Sequence, residues 1–179
     1  MHMLHSREMK KGFTMIELLV VVSIMGILSA MGVASLHGAV VNNRVKDAAI
    51  NVTAYLERVA NETNRLSEKV CVRAVGKQIQ ATKGACPAKG ALVSKYEFEG
   101  NENLSFDNST GGGDCSKSWV GNSGVTFEPK FGLSAAPVEG CIVVKYGSGE
   151  KRARALKKKN KNNIIPQISY DSGANWMGL

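Results

Sequence analysis

The sequence predicts an α+β chain. One long N-terminal α-helix, half of it apolar enough for a membrane, packs through its other half on a mostly antiparallel β-sheet. Three observations predict this. From Leu18 to Val41 run 24 residues without a charged side chain, counting His37 as neutral. From Arg44 to about Val70 the apolar residues recur at steps of three and four. Beyond Val70 the period shortens to two, and glycine-rich pieces separate short apolar runs.

The first element is a polar, basic leader, residues 1–12, with Arg7, Lys10 and Lys11 set against Glu8. Behind it the stretch Phe13–Val41 carries one charge, Glu17. At 1.5 Å per residue, about 20 apolar residues cross a hydrocarbon core, so this stretch is long enough. A cleaved secretory signal has a shorter apolar run and a small-x-small site after it. Here the run is too long and continues into more helix. The basic leader stays on the cytoplasmic side by the positive-inside rule, which puts the C-terminal bulk outside.

The second half of the helix, residues 42–70, is amphipathic. Val45, Ala48, Ala49, Val52, Leu56, Val59, Thr63, Leu66 and Val70 form one stripe, and Lys46, Asp47, Asn51, Arg58, Asn61, Glu62 and Arg65 fill the other faces. Such a stripe faces a core. No proline precedes Pro87, so one helix is expected from near Met15 to near Lys69, about 55 residues or roughly 80 Å.

The remainder, residues 71–179, reads as a β-rich domain. Residues 70–83 alternate around Gly76 as a hairpin. Further strands are expected at Lys95–Phe98, Val125–Glu128, Cys141–Tyr146, Arg152–Leu156 and Ile164–Tyr170. Turn-rich pieces lie between them, among them Asn108–Gly124 with its run Gly111–Gly113.

The net charge of +8 is local. Between Lys145 and Lys161 stand eight basic residues, Lys145, Lys151, Arg152, Arg154, Lys157, Lys158, Lys159 and Lys161, against Glu150 alone. The rest of the chain is close to neutral, unlike a uniformly basic nucleic-acid-binding domain. Four cysteines, Cys71, Cys86, Cys115 and Cys141, form no C-x-x-C pair and have no histidine at metal-ligand spacing. No metal is expected. An even count of dispersed cysteines behind an export segment suggests two disulfides, with four buried thiols as the competing reading. Of the three possible connectivities, Cys71–Cys86 closes a short loop around the hairpin, and Cys115–Cys141 then ties the glycine-rich loop to a strand.

The segment Lys10–Ala30, KKGFTMIELLVVVSIMGILSA, resembles the cleavage and methylation motif of type IV prepilins and type II secretion pseudopilins. It has a basic leader ending in Gly12, then Phe13 and Thr14, and a carboxylate at Glu17 before a long apolar run. The resemblance implies a type IV pilin-like fold. It also implies cleavage of Gly12–Phe13 by a prepilin peptidase, N-methylation of Phe13, an inner-membrane stage, and assembly with other pilin or pseudopilin subunits through the helix. A carboxylate inside an apolar helix is costly unless partnered. The new α-amino group of Phe13, in the same or a neighbouring subunit, is the expected partner, and the helix dipole adds to it. The competing reading is a carboxylate that reaches back to the membrane surface. Small residues recur every third position (Ser23, Gly26, Ser29, Gly32, Ser35, Gly38) and every fourth (Gly26, Ala30, Ala34, Gly38). Such spacing lets helix backbones approach closely in an apolar medium, although small residues are common in membrane helices in general.

The globular half resembles the group containing the type II secretion minor pseudopilin H and the pilus protein FimT. The transition from the helix to the first strand, Val59–Ala74 (VANETNRLSEKVCVRA), and Val125–Pro137 carry that likeness. Some members of this group bind DNA through a basic Gly-Arg-x-Arg-like element, and the matching place here, Ser172–Trp176, has no arginine. The run Lys151, Arg152, Arg154, Lys157, Lys158, Lys159 and Lys161 is the alternative DNA-binding element, if a hairpin displays it. Tyr146 and Tyr170 are the stacking candidates beside it. No catalytic residue and no cofactor are expected. His2 and His5 lie in the leader and His37 in the apolar helix, and no nucleotide-binding glycine pattern occurs. Trp119 and Trp176 read as packing residues.

Overall fold

The computed structural model describes residues 12–87, 90–98, 102–121, 124–129, 139–158, 161 and 163–179. Helix α1 spans Met15–Leu66. It starts at Thr14, whose carbonyl accepts the amide hydrogen of Leu18 at 3.2 Å. It stops three residues before the expected end because Ser67 takes a left-handed conformation, φ 52°, a backbone turn that closes a helix. The chain divides into two compact units between Val40 and Val41.

In the first unit α1 leaves its large apolar side chains exposed, from Met15 through Leu36. It is long and apolar enough to cross a membrane. In the second unit the same helix buries Val45, Ala48, Ala49, Val52, Leu56, Val59 and Thr63, as its stripe requires. Thr63 is tolerated because its hydroxyl donates to the Val59 carbonyl at 2.7 Å. Tyr55, absent from the expected stripe, is buried as well. Its ring meets Tyr96 at 5.5 Å, and its hydroxyl pairs with Ser94 Oγ at 2.9 Å.

Nine strands follow among the described residues: β1 Val70–Val75, β2 Gln78–Lys83, β3 Leu92–Glu97, β4 Leu104–Asp107, β5 Val125–Phe127, β6 Gly140–Tyr146, β7 Lys151–Lys157, β8 Ile164–Ser169 and β9 Met177–Gly178. The single expected sheet is two. The first has the order β3-β2-β1-β5 and the second β4-β6-β7-β8-β9. Every paired strand is antiparallel. Isolated parallel bridges, Ala74↔Val120 and Ser118↔Cys141, stitch the two sheets through residues 118–120. The β1–β2 turn is Gly76-Lys77, with Gly76 at φ 63°, the left-handed first position that a type II′ hairpin gives to glycine.

A single main core joins α1 to both sheets. Val70, Val72, Ile79 and Phe127 enter from the first sheet, and Phe106, Ile142, Val144, Ala153, Ala155, Ile164 and Ile168 from the second. An aromatic ladder, Tyr55–Tyr96–Phe98–Phe106, runs from the helix past the outer strand β3 to the outer strand β4, with ring centroids 5.0–5.5 Å apart. Trp119 is fully buried between the sheets. Gly140 makes room for it, since a Cβ there would collide with the indole and with the Lys117 carbonyl. A second, smaller cluster forms on the outer face of the second sheet from Cys115, Cys141, Val143 and Leu156 under Trp176.

Candidate functional site

The N-terminal segment carries the first site. Gly12, Phe13 and Thr14 precede the helix and are exposed, Phe13 by 89%. Thr14 Oγ1 accepts the Glu17 amide hydrogen at 3.3 Å. In return Glu17 Oε2 accepts from the Thr14 amide and from the Thr14 hydroxyl, each at 3.1 Å. This is a capping box: the hydroxyl satisfies one orphan amide of the first turn, and the carboxylate satisfies the amide of the capping residue. The sequence reading named Glu17 and treated Thr14 only as part of the motif. The signal for Thr14 was present, because Thr-x-x-Glu ahead of an apolar run is the capping-box pattern. The box holds the carboxylate at the positive end of the helix dipole. It also makes the helix begin two residues after Phe13, so the Gly12–Phe13 bond lies in non-helical, open backbone.

Along the first unit the small residues face open space. A Cβ added at Gly26, Gly32 or Gly38 would meet nothing within 4 Å. Ser23 turns its hydroxyl back to the Leu19 carbonyl at 2.7 Å, which removes an unpaired donor from the apolar face. The side chain of Ala34 and the leader residues Lys10 and Lys11 lie outside the described residues.

The basic run occupies the second unit, and most of its described cations are paired or buried there. The hairpin exists as β6–β7, but strand alternation divides its cations between two covered faces. Arg152, at 3.4 Å from Asp107, also donates to Ser109 Oγ and to the Gly149 carbonyl. Arg154 is buried. Its guanidinium lies 4.0 Å from the centre of the Trp176 ring and donates to Gln167 Oε1 and the Gly112 carbonyl. Burial pulls the Arg154 pKa below its ordinary value, with Asp114 opposing.

Lys157 is buried on the other face, and desolvation lowers its pKa against the pull of Glu139. Lys158 pairs with Asp114, and this contact lowers the Asp114 pKa. Lys151 donates to Asn42 Oδ1 of α1 at 2.6 Å. Lys161 is exposed, and Lys159 lies outside the described residues. Tyr146 packs on the core, and Tyr170 is partly exposed. The composition of the run was legible in the sequence. Its burial was not, because that depends on the acids and carbonyls of residues 107–114.

The cysteines are joined as Cys71–Cys86 and Cys115–Cys141, and no described cysteine is free. The first bond ties the start of β1 to the loop after β2. The second ties the glycine-rich loop to β6.

Residues 7–33 match the family model described as the prokaryotic N-terminal methylation motif. The match covers Gly12, Phe13, Thr14 and Glu17 and most of the exposed apolar half of α1. The class is therefore that of proteins whose long apolar N-terminal helix follows a methylation motif. That motif, ahead of a long helix packed on antiparallel sheets, is similar to what type IV pilins and pseudopilins carry and supports that family. No curated protein and no solved structure matches the chain.

Proposed function

We propose that the chain is a non-enzymatic filament subunit, a minor pilin or pseudopilin of a type IV pilus or type II secretion system. It is held first in the inner membrane by Phe13–Val41 with the leader on the cytoplasmic side. A prepilin peptidase cuts Gly12–Phe13 and methylates Phe13, and the helix then packs against other subunits with the β-rich domain outside the cytoplasm. The carrying observation is the exposed apolar half of α1 directly behind a methylation motif. Sixteen exposed large apolar side chains between Phe13 and Val40 are untenable in water, so this segment takes lipid or neighbouring helices as its solvent. Glu17, held by Thr14 in the free chain, keeps acceptor capacity for an ammonium group, because an ionised carboxylate accepts more than the two bonds it receives there.

Two measurements test this. Mass spectrometry of the chain from its native membrane is expected to find a mature N-terminus at methylated Phe13, and a chain still beginning at Met1 overturns the reading. Separately, Glu17→Leu is expected to be cleaved but poorly recruited into filaments. Recruitment equal to the parent removes the role given to the carboxylate while leaving the processing role standing. The DNA-receptor alternative has the weaker support, since five of its seven cations are paired or buried.

A further inference from the structure

The first sheet ends in an open edge. Among the described residues β3 pairs with β2 alone. Which of its backbone groups face outward follows from the hydrogen bonds of β1. Ala74 donates to the Trp119 carbonyl at 3.3 Å and accepts from the Gly121 amide at 2.7 Å, so its backbone faces away from β2. Backbone direction alternates along a strand, so Val75 and Arg73 face β2. Their partners Gln78 and Gln80 face back to β1, which turns Ile79 and Ala81 toward β3. The partners of those two, Tyr96 and Ser94, face β2. Lys95 and Glu97 therefore point amide and carbonyl to the open edge. Both side chains are exposed. Lys95 has no ion pair among the described residues, and Glu97 accepts from Gln78 Nε2 at 2.8 Å, which leaves its carboxylate further capacity. A cavity of about 370 Å³ borders the same stretch, between Arg44, Asp47 and Asn51 of α1 and Lys95–Phe98. α1 thus leaves room beside the edge.

We propose that β3 is a self-recognition edge, which pairs antiparallel, about a two-fold axis at Tyr96, with β3 of a second copy of this chain. Charge on an edge strand ordinarily blocks such pairing. A two-fold centred on Lys95 or on Glu97 does set a charge against itself. Centred on Tyr96, it sets Lys95 against Glu97 of the second copy, and Glu97 against that copy's Lys95. Opposite charges directly across a sheet attract, and like charges repel. These two residues are also the ones whose backbone groups point outward, so the same register closes both narrow hydrogen-bonded pairs. Their side chains lie on the outer face, opposite to Tyr96 and Phe98, which pack on the core. The contact is isologous, the same patch on both copies. It also has a direction. Tyr55 meets Ser94 and Tyr96, whereas Arg44, Asp47 and Asn51 border Lys95–Phe98, so this part of α1 runs opposite to β3. A two-fold that reverses β3 reverses that segment too. Copies packed with their helices all one way cannot make this contact with each other, and it joins copies from separate assemblies. The pairing itself does not rest on the filament reading.

The test uses the full chain in detergent micelles, with self-association measured by sedimentation equilibrium at low salt. Lys95→Glu alone and Glu97→Lys alone are each expected to weaken self-association about tenfold, because each sets two like-charge pairs across the contact. An equimolar mixture of the two variants is expected to associate as tightly as the parent, since each supplies the charge the other lacks. The exchange Lys95→Glu/Glu97→Lys in one chain is expected to do the same, which also shows that neither substitution acts through misfolding. Association through the apolar half of α1 is common to all these chains and cancels from the comparison. Single variants that associate like the parent, or a mixture no tighter than its components, overturn the proposal. Amide exchange reads the register independently. In the parent, exchange at Lys95 and Glu97 is expected to slow as concentration rises, while Ser94 and Tyr96, already turned to β2, stay unchanged. Slowing at Ser94 and Tyr96 instead, or at none of the four, overturns it as well.

Discussion

Leu28 and Leu56 stand on the same helix, and their surroundings differ completely. Leu28 is 63% exposed and Leu56 is fully buried. Backbone and residue type are the same, so the difference lies in what the neighbouring positions permit. Around Leu56 charged and polar residues occupy the outward faces and confine the apolar stripe to one side. Around Leu28 no face carries a charged residue, and the apolar side chains there stay exposed. The first arrangement specifies an internal partner, and the second specifies a solvent or a partner from outside.

Leucine-to-alanine exchange at the two sites tests this division most strongly. Leu56→Ala is expected to lower the stability of the β-rich unit by about 2–5 kcal/mol, the range for a fully buried leucine in a packed core. Leu28→Ala is expected to leave the melting of that unit unchanged and to act only on membrane retention or filament recruitment. Thermal denaturation of both variants in the same micelles, followed by near-ultraviolet circular dichroism, measures this. Equal loss of stability at both sites removes the distinction between the two units.

The next effect lies wholly inside the second unit. The disulfides bridge sequence separations of 15 and 26 residues, and the chain-entropy relation gives about 3 kcal/mol for the shorter loop and about 3.5 kcal/mol for the longer. Replacing either pair by serine is expected to lower the denaturant midpoint while cleavage at Gly12–Phe13 proceeds at the parental rate. A processing defect in these variants, with insertion intact, shows that the units are coupled.

The first unit has its own smaller test. Thr14→Val keeps the shape of the side chain and removes the capping hydroxyl, a change worth about 1 kcal/mol at a helix start. Faster amide exchange is expected at Met15, Ile16 and Glu17, with no change in the melting of the β-rich unit. Thr14→Ser is expected to restore protection. If Thr14→Val and the parent exchange alike, the capping box does not hold the helix start.

What was readable in the sequence follows the range of the interactions. The helix, its apolar half and the β1–β2 hairpin rest on periodicities and turn residues within a few positions, and all three were legible. The cleavage and methylation segment was legible as a resemblance, because its pattern is local. β4 and β9 were missed. Leu104–Asp107 and Met177–Gly178 are short, and each is a strand only because β6 or β8 offers it an edge. The division into two sheets depends on residues 118–120 bridging β1 and β6, across separations no local pattern reports. The fate of Arg154 is the clearest case. Nothing in its neighbours forecasts that Gln167, Gly112 and Trp176 converge on it, so a buried, stacked arginine read as one member of a basic patch.

The smallest effect concerns the C-terminal turn that carries Trp176 back over Arg154. Asp171 accepts from the Ser169 hydroxyl, the Asn175 amide and the Asn175 side chain. These bonds, the Ser169 bond first, draw its pKa from the ordinary 3.8 down to about 2. Since the folded value is the lower one, the contribution of the carboxylate is fully present above the unfolded value and is lost as pH falls through about 2. Acid titration is therefore expected to loosen the turn between about pH 4 and pH 2, read as a change in Trp176 fluorescence with Trp176→Phe as the blank. Asp171→Asn keeps the shape and one acceptor, and is expected to flatten this limb without altering the signal at neutral pH. An unchanged limb in that variant assigns the acid response to another group. It also removes Asp171 from the set of contacts that keep the second unit internally satisfied where the first is not.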